Sequence, residues 1–336
     1  MHEPLPTVSK LKPAYIRQVL ISRMMYRYDF NNASRPLVGN LLYLARHKSQ
    51  MLAAKEKRHQ RFQRFVDENL HIAPQMLTQG RANEVLEECD VFVCGSDQIW
   101  NPGYATTSSL AFLHFASGKK RTIALAPSFG VSKIPDGHKK LFKEWINGID
   151  NLSVREEAGQ HIIKELTGRD AELLLDPTMA LPVEQWQKLE REPETPLPKK
   201  YILGYFLGRV NKEYKQEINR IAKEHNAQVV MLFDIERPEY YVYDPAEVLY
   251  ALDHADMVMT DSFHGTVFSI LFHKSFKTFI RNEGGESMNS RLETLLNRFQ
   301  LAQDNTLSPE KWVNIEKIIE EEREKTIAYI RKGIES

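Results

Sequence analysis

The sequence places its most reactive side chains directly after short apolar stretches. Residues 260–265 read TDSFHG, follow an apolar run at 257–259 and precede an apolar helical pattern at 266–272. In parallel sheets, ligands bind where strands end and helices begin, because free helix N–H groups attract anions. The pattern predicts an anion site in which Ser262 caps the helix and His264 donates a proton or contacts the anion. The alternative is a simple helix cap beside a solvated histidine.

A similar turn occurs earlier in the chain. Residues 95–102 read GSDQIWNP and follow the apolar run at 91–94. Here Asp97 could act as a base or bind a sugar hydroxyl, and Trp100 could stack on a sugar ring. The alternative is a capped helix start with Trp100 in the core.

Three arginines and a second aspartate extend this set. Arg155 lies just beyond a predicted strand, where its guanidinium could hold a phosphate or carboxylate through two parallel hydrogen bonds. A surface ion pair with a neighbouring glutamate is the alternative. Arg281 and Arg291 flank a glycine-bearing loop that could close over a ligand or be an ordinary loop. Asp176 also follows a strand, but its Asp-Pro-Thr sequence predicts a structural turn.

Strand and helix patterns that would position these residues alternate along the chain. In the first half, apolar runs predict strands at 91–94, 122–126, 151–154 and 172–175, with helices at 137–148 and 156–167. In the second half, strands are predicted at 201–207, 228–233, 256–260 and 276–280, with helices at 211–225, 245–253, 264–272 and 288–299. This alternation predicts an α/β fold built from right-handed βαβ units.

A proline-rich stretch separates two predicted domains. We predict a Rossmann-like N-terminal domain at 1–185, a linker at 186–200 and a Rossmann-like C-terminal domain at 201–305. Residues 306–336 form an amphipathic helix that is expected to pack back across both domains. Residues 14–70 show a basic, helical pattern without a strand.

Composition restricts the class of protein. The 336 residues are 42% hydrophobic and 27% charged, as in folded soluble proteins of two domains. Cys89 and Cys94 are the only cysteines, and Cys94 ends an apolar run, so we predict a reducing, cytoplasmic location rather than a disulfide framework. The sequence shows neither an apolar stretch of membrane-spanning length nor a signal-peptide pattern.

Charge gives a further restriction. Lys plus Arg and Asp plus Glu number 45 each, which argues against nucleic-acid binding. Residues 1–65 nevertheless hold 13 Lys and Arg against three acids. This excess indicates either peripheral contact with the inner, anionic face of a membrane or solvated helix faces. The glycine fingerprint of dinucleotide-binding folds, the P-loop, zinc-ligand spacings and the serine-hydrolase elbow are all absent from the sequence.

Five short motifs, taken together, resemble the polysaccharide pyruvyl transferase family. They are CGSDQIWN at 94–101, APSFG at 126–130, SVRE at 153–156, LDPT at 175–178 and TDSFHGT at 260–266. The resemblance implies two Rossmann-like domains that face each other across a cleft, as in GT-B glycosyltransferases. It also implies transfer of pyruvate from phosphoenolpyruvate to a sugar diol of a cell-surface polysaccharide or its precursor, forming a cyclic ketal.

The resemblance implies site roles for His264, Arg155 and Asp97, and we predict further site residues around them. The expected catalytic residues are His264 and Asp97. The expected donor-binding residues are Arg155, Ser262, Gly265, Thr266 and Arg291. The expected acceptor-binding residues are Ser96, Gln98, Trp100 and Ser128. Phosphoenolpyruvate and a saccharide or lipid-linked saccharide are the expected partners, with no metal and no further cofactor.

Members of this family usually open with a strand, a loop and a helix that have no counterpart before Ala14. We therefore expect the N-terminal domain to lack its first strand–helix unit. Two other functions remain open for the same cleft. One is a GT-B glycosyltransferase that uses a nucleotide sugar, and the other is a saccharide-binding protein without catalysis.

Overall fold

The first half of the protein contains two short pairs of parallel strands. The structure is a computed structural model that describes residues 37–72, 77–78, 81–281, 287–305 and 308–335. The paired strands are β1 (Val91–Cys94) with β2 (Arg121–Ala124), and β3 (Ser153–Val154) with β4 (Glu172–Leu173). A parallel backbone bridge between Ile123 and Asn151 joins the two pairs, so the strands follow one another in sequence order.

The second half contains a five-stranded sheet. Its strands are β5 (Tyr201–Tyr205), β6 (Gln228–Leu232), β7 (Met257–Thr260), β8 (Ser275–Thr278) and β9 (Asp304–Asn305). Their order in the sheet is β6-β5-β7-β8-β9, in which only β9 runs antiparallel. Every residue of β7 is buried, as expected for a strand covered on both faces.

Helices connect the strands and cover the sheets. They are α1 (Leu37–Asn69), α2 (Ala82–Glu88), α3 (Asp136–Asn147), α4 (Glu157–Thr167), α5 (Val183–Gln187), α6 (Lys212–Glu224), α7 (Pro238–Tyr241), α8 (Pro245–Asp253), α9 (Phe263–Leu271), α10 (Ser287–Arg298) and α11 (Pro309–Glu335). Short 3-10 helices lie at Ser109–Phe112, His114–Ala116 and Pro177–Ala180. The prediction of an α/β fold with parallel sheets is confirmed, whereas the assignment of domains 1–185 and 201–305 remains a prediction.

The helix α11 contacts both halves, as its amphipathic pattern predicts. Near its start, Ile315 and Ile319 pack into the apolar core beneath the five-stranded sheet. Near its end, the hydroxyl of Tyr329 donates a hydrogen bond of 3.0 Å to the carbonyl oxygen of Ala124 in β2. Gly333 lies against Ile123, and a Cβ atom at Gly333 would come within 2.7 Å of that side chain. A side chain at this position would therefore force Ile123 to shift.

The helix α1 packs against the second half. Arg61 is buried and makes an ion pair with Glu247 of α8, and Arg58 lies over the rings of Phe233 and Tyr241. Arg58 and Arg61, two of the basic residues predicted to contact a membrane or solvent, thus contact the rest of the protein instead. Peripheral membrane contact by the other basic residues stays a prediction.

The expected loss of the first strand–helix unit concerns residues 1–36, which lie outside the described residues.

Candidate active site

Asp97 lies in the turn after β1 and points into the space between the two halves. Gly95 precedes it with φ +131°, and a Cβ atom there would be 2.0 Å from the carbonyl oxygen of Leu125, so only glycine fits. The Asp97 side chain is 60% exposed and accepts a hydrogen bond of 3.0 Å from Nη2 of Arg155. Partial burial raises the pKa of Asp97, but Arg155, His264 and Arg291 outweigh it and hold this pKa below its usual value. The carboxylate is therefore ionised at neutral pH and accessible to a ligand.

Arg155 follows β3 and is held between two carboxylates. Its side chain is 1% exposed, and its Nη1 donates to Oδ2 of Asp176 while Nη2 donates to Asp97. Its guanidinium lies 4.2 Å above the centre of the Phe263 ring. Burial lowers the pKa of Arg155, but the two carboxylates outweigh burial and raise it. Arg155 is thus enclosed by two carboxylates and an aromatic ring, while its Nε has no hydrogen-bond partner in the described structure, and its expected donor binding stays a prediction.

Asp176 links the two halves. It follows β4, is buried, and accepts hydrogen bonds from the Ser96 hydroxyl at 2.7 Å and the Thr178 amide at 3.1 Å. Its Oδ2 also lies 3.7 Å from Nε2 of His264 in the second half. Burial raises the pKa of Asp176, but His264 and Arg155 outweigh it and hold this pKa well below its usual value. Its position after a strand indicated the right place, but the sequence predicted only a structural turn.

The turn after β7 differs, because the carboxylate of Asp261 is occupied by hydrogen bonds within the protein. The carboxylate of Asp261 accepts hydrogen bonds of 2.7 Å from each of the backbone amides of Leu207 and Gly208. Nε of Arg281 donates a third, of 3.3 Å. The Asp261 side chain is only 5% exposed. This carboxylate therefore fixes the loop after β5 to the loop after β7.

Three of the expected donor-binding residues lie inside this turn. Ser262 caps α9 as predicted, since its hydroxyl accepts a hydrogen bond of 3.3 Å from the Gly265 amide. Thr266 is buried, and its hydroxyl donates to the Ser262 carbonyl oxygen at 3.1 Å. The amide of Gly265 is thus already paired, and both Gly265 and Thr266 are covered. Ser262 nevertheless lines the pocket between the two turns, so its expected contact with the donor stays a prediction, whereas Gly265 and Thr266 are covered in this structure.

His264 is the member of this turn that reaches the space between the halves. Its side chain is 33% exposed. The Phe263 ring stands edge-on to the imidazole at 5.5 Å between centroids, and Asp176 lies beside its Nε2 atom. When the imidazole carries its second proton, this contact becomes an ion pair. His264 is therefore oriented by both halves and accessible.

A pocket lies between the two turns, and we call it the cationic pocket. It is lined by Asp97, Gln98, Leu207, Asp261, Ser262, Phe263, His264, Arg281, Arg291 and Leu292. Arg291 is largely buried, and its Nε has no hydrogen-bond partner in the described structure. Burial and the nearby charge of Arg155 lower the pKa of Arg291 to about 10. An anion in the pocket would relieve this unfavourable charge.

The four expected acceptor residues divide into two groups. Trp100 is fully buried, with its indole N–H donating to the Ala111 carbonyl oxygen at 3.0 Å, so the expectation that it stacks on a sugar is corrected. Ser128 is also fully buried and donates to Glu156 at 3.0 Å, so it cannot touch an acceptor in this structure. Ser96 and Gln98 are partly exposed. The structure places these two, but not Trp100 or Ser128, beside Asp97.

A compact group of possible metal ligands lies outside the cationic pocket. Among the described residues, Glu190, Asp253 and His254 form a group compact enough to be considered for a metal ion. None of them lines the cationic pocket. Within the same described ranges, every helix is too short or too polar to cross a membrane.

Comparison with known proteins identifies the family. The model of the polysaccharide pyruvyl transferase family matches residues 8–279, most of the chain. Among solved structures, a putative UDP-N-acetylglucosamine 2-epimerase from Listeria monocytogenes is similar at 13% sequence identity, over 74% of this chain and 71% of that chain, with a TM-score of 0.39. No curated protein matches the sequence. The family match spans the turns that carry Asp97, Arg155, Asp176 and His264, and this chain belongs to the polysaccharide pyruvyl transferase family.

Proposed function

We propose that this protein transfers pyruvate from phosphoenolpyruvate to two hydroxyls of a saccharide, forming a cyclic ketal, at the site between its two halves. Membership of the family supports the reaction class and a polysaccharide or its precursor as the acceptor. We take the halves to be two Rossmann-like domains, 1–185 and 201–305, in a GT-B-like arrangement. The placement of Asp97, Arg155, Asp176 and His264 directly after strands fits this arrangement.

The observation that carries the proposal is the state of Arg291 in the cationic pocket. Arg291 is buried with an unpaired Nε, and its Nη1 lies 3.8 Å from Oδ1 of Asp97, so a bound anion would add a second charged partner to a guanidinium whose pKa burial lowers. Phosphoenolpyruvate offers a phosphate and a carboxylate on a three-carbon unit, and the small pocket also contains Arg281. Bound there, the donor would lie beside both Asp97 and His264.

The first chemical step requires an acid and a hydroxyl-binding group. A sugar hydroxyl held by Asp97 attacks C2 of the enolpyruvyl group, and the electron pair of the double bond takes a proton from His264 at C3. The hydroxyl proton passes to Asp97 as the new C2–O bond forms. Because Arg155 and Arg291 lower the pKa of Asp97, this carboxylate is a weak base, and its main contribution is to orient the hydroxyl.

The second step closes the ketal. The C2–O bond to phosphate breaks, the phosphate leaves with the bonding pair, and it takes up the proton held by Asp97. The second sugar hydroxyl adds to C2 and returns its proton to His264. Both groups regain their initial protonation states. The products are the pyruvate ketal and inorganic phosphate.

The test combines product detection with two substitutions. The wild-type protein is incubated with phosphoenolpyruvate and glycan intermediates extracted from its own host, and both phosphate release and a pyruvate ketal by mass spectrometry are expected. His264→Gln should lower kcat at least roughly 100-fold, because the C3 proton donor is lost. Arg291→Gln should raise KM for phosphoenolpyruvate roughly 10- to 100-fold, because a charged hydrogen-bonding group is removed.

The matched control is His161→Gln, which changes an exposed histidine of α4 and should leave both constants unchanged. Near-full activity of His264→Gln would remove the assigned role of His264. Thermal stabilisation by UDP or GDP sugars but not by phosphoenolpyruvate would replace the proposal with nucleotide-sugar transfer. Saccharide binding without phosphate release would indicate a non-catalytic protein.

A further inference from the structure

A second recess meets the cationic pocket at Asp97 and His264, and we call it the tryptophan groove. Its lining residues are Ser96, Asp97, Asp176, Pro177, Thr178, Leu181, Trp186 and His264. The groove is broadly open to solvent and has room for about 440 Å³, whereas the cationic pocket is more enclosed and has room for about 80 Å³. The two recesses therefore offer very different amounts of space on either side of the same two reactive side chains.

The charges of the two recesses also differ. The cationic pocket contains Arg281 and Arg291 beside Asp97 and Asp261. Among the described residues that line the groove there are also two carboxylates, Asp97 and Asp176, but no arginine or lysine. Electrostatic repulsion disfavours a multiply charged anion in the groove, and the hydroxyl groups of a neutral sugar can donate to a carboxylate such as Asp97. Size and charge thus assign the small anionic donor to the pocket and a larger neutral molecule to the groove.

Trp186 gives the groove a fixed aromatic side chain. Its indole N–H donates a hydrogen bond of 3.0 Å to the Thr178 carbonyl oxygen, and its ring stands edge-on to Phe268 at 5.2 Å between centroids. Leu181 in the same groove is 45% exposed and adds an apolar surface beside the indole. An ordered, partly exposed indole beside a carboxylate is suited to a pyranose ring, which has apolar C–H faces and hydroxyl edges.

We propose that the tryptophan groove binds the acceptor saccharide, with one sugar ring against Trp186 and its two reacting hydroxyls directed towards Asp97 and His264. The proposal rests on the proposed function and adds the residues that recognise the acceptor. It gives Trp186 the role that the sequence suggested for Trp100, which the structure places in the core. Trp186 is a binding residue and takes no part in proton transfer.

The experiment measures both substrates in the same variants. Trp186→Ala should raise the acceptor KM, measured with the host glycan intermediates, roughly 10- to 50-fold, because the ring contact is lost. KM for phosphoenolpyruvate should change less than about twofold, since the cationic pocket is untouched. Trp186→Phe retains an aromatic ring and should recover much of the loss. Trp312→Ala, at a partly buried tryptophan that lines neither recess, is the matched control and should leave both constants unchanged.

A second variant tests the groove even if Trp186→Ala does not fold correctly. Leu181→Arg introduces a large charged side chain at an exposed position and should also raise the acceptor KM without changing the thermal stability. Binding without turnover can be followed by saturation-transfer NMR with a panel of p-nitrophenyl hexopyranosides, and Trp186→Ala should weaken the signal of those that bind wild type.

The outcomes separate this proposal from the proposed function. If wild type forms the ketal and the acceptor KM of both Trp186→Ala and Leu181→Arg equals that of wild type, the groove proposal is wrong and the reaction stands. If wild type releases no phosphate with any acceptor, the proposed function fails. Saccharide binding that is lost in Trp186→Ala would then still support the groove. A panel in which no glycoside binds, together with unchanged variants, would overturn it.

Discussion

The turns after β1 and β7 occupy equivalent positions at the ends of buried strands, yet they use their aspartates in opposite ways. The carboxylate of Asp97 is 60% exposed, with one hydrogen bond from Arg155. The carboxylate of Asp261 is 5% exposed and is occupied by two backbone amides and Arg281. Asp97 therefore has free oxygen lone pairs for a ligand, whereas Asp261 has few.

This difference shows that position at a strand end does not by itself make an acid functional. Whether such an aspartate can bind a ligand depends on how many of its hydrogen-bonding sites are already occupied by other groups of the protein. The turn with Asp261 is tied to Leu207, Gly208 and Arg281 by hydrogen bonds, and the same turn carries His264 into the site. The turn with Asp97 presents its acid directly, while Asp176 connects the two turns through Ser96 and His264.

Of the substitutions that test this comparison, the one at Asp97 is expected to lower the activity most. Asp97→Asn should lower kcat roughly 10²- to 10⁴-fold, because the neutral amide orients the attacking hydroxyl less well than the carboxylate and cannot take up its proton. The melting temperature should change little, since the side chain is mostly exposed. Steady-state phosphate release and differential scanning calorimetry measure the two quantities. Asp90→Asn, at an exposed acid just before β1, is the matched control, and an equal loss of activity there would contradict the assignment.

Asp176→Asn tests the link between the turns after β1 and β7, and its effect is measured as a change in the free energy of unfolding. Removing one partner of the buried pair with Arg155 should lower the free energy of unfolding by about 3 kcal/mol at pH 7. The pKa of Asp176 is depressed in the folded protein, so its stabilisation is complete above the unfolded pKa of about 4 and is lost as the pH falls towards the folded pKa. The difference between wild type and variant should therefore narrow below about pH 4 in urea titrations. A difference that stays constant down to pH 2 would argue against an ionised Asp176.

The smallest effect is expected at Asp261. Asp261→Asn keeps one acceptor oxygen but loses the charge, and the free energy of unfolding should fall by about 2 kcal/mol. The activity should fall only about tenfold, through looser positioning of His264. Urea unfolding and phosphate release distinguish this pattern from that of Asp97→Asn. If Asp261→Asn lost activity as strongly as Asp97→Asn at unchanged stability, the two turns would not differ as described.

Much of the fold was predictable because parallel strands covered on both faces are continuous apolar runs. Residues 91–94 and 256–260 were recognised in this way, and the strands observed there are Val91–Cys94 and Met257–Thr260. The element Asp304–Asn305 was missed, since a two-residue antiparallel strand with one exposed residue has no periodic signal. Ala82–Glu88 was missed because a seven-residue helix carries too few repeats.

The site was predictable in location but not in detail. Strand ends indicated where Asp97 and His264 would lie, a glycine-bearing loop indicated Arg291, and the structure brings these three to one pocket. The sequence could not show that Arg155 would be enclosed by two acids or that Trp100 would stack on Phe112 in the core. These outcomes depend on partners far away in the chain, and local sequence contains no information about how they pair.

The packing of α11 on β2 also has a consequence for synthesis of the protein. Tyr329 is made 205 residues after Ala124, the residue whose carbonyl it binds. At ribosomal rates of about 5–20 residues per second, β2 would wait roughly 10–40 s for this cover after it leaves the ribosome. During that time Ile123 lacks the glycine-faced helix that covers it in the finished molecule. The half of the protein that is translated first is thus the half whose core is completed last.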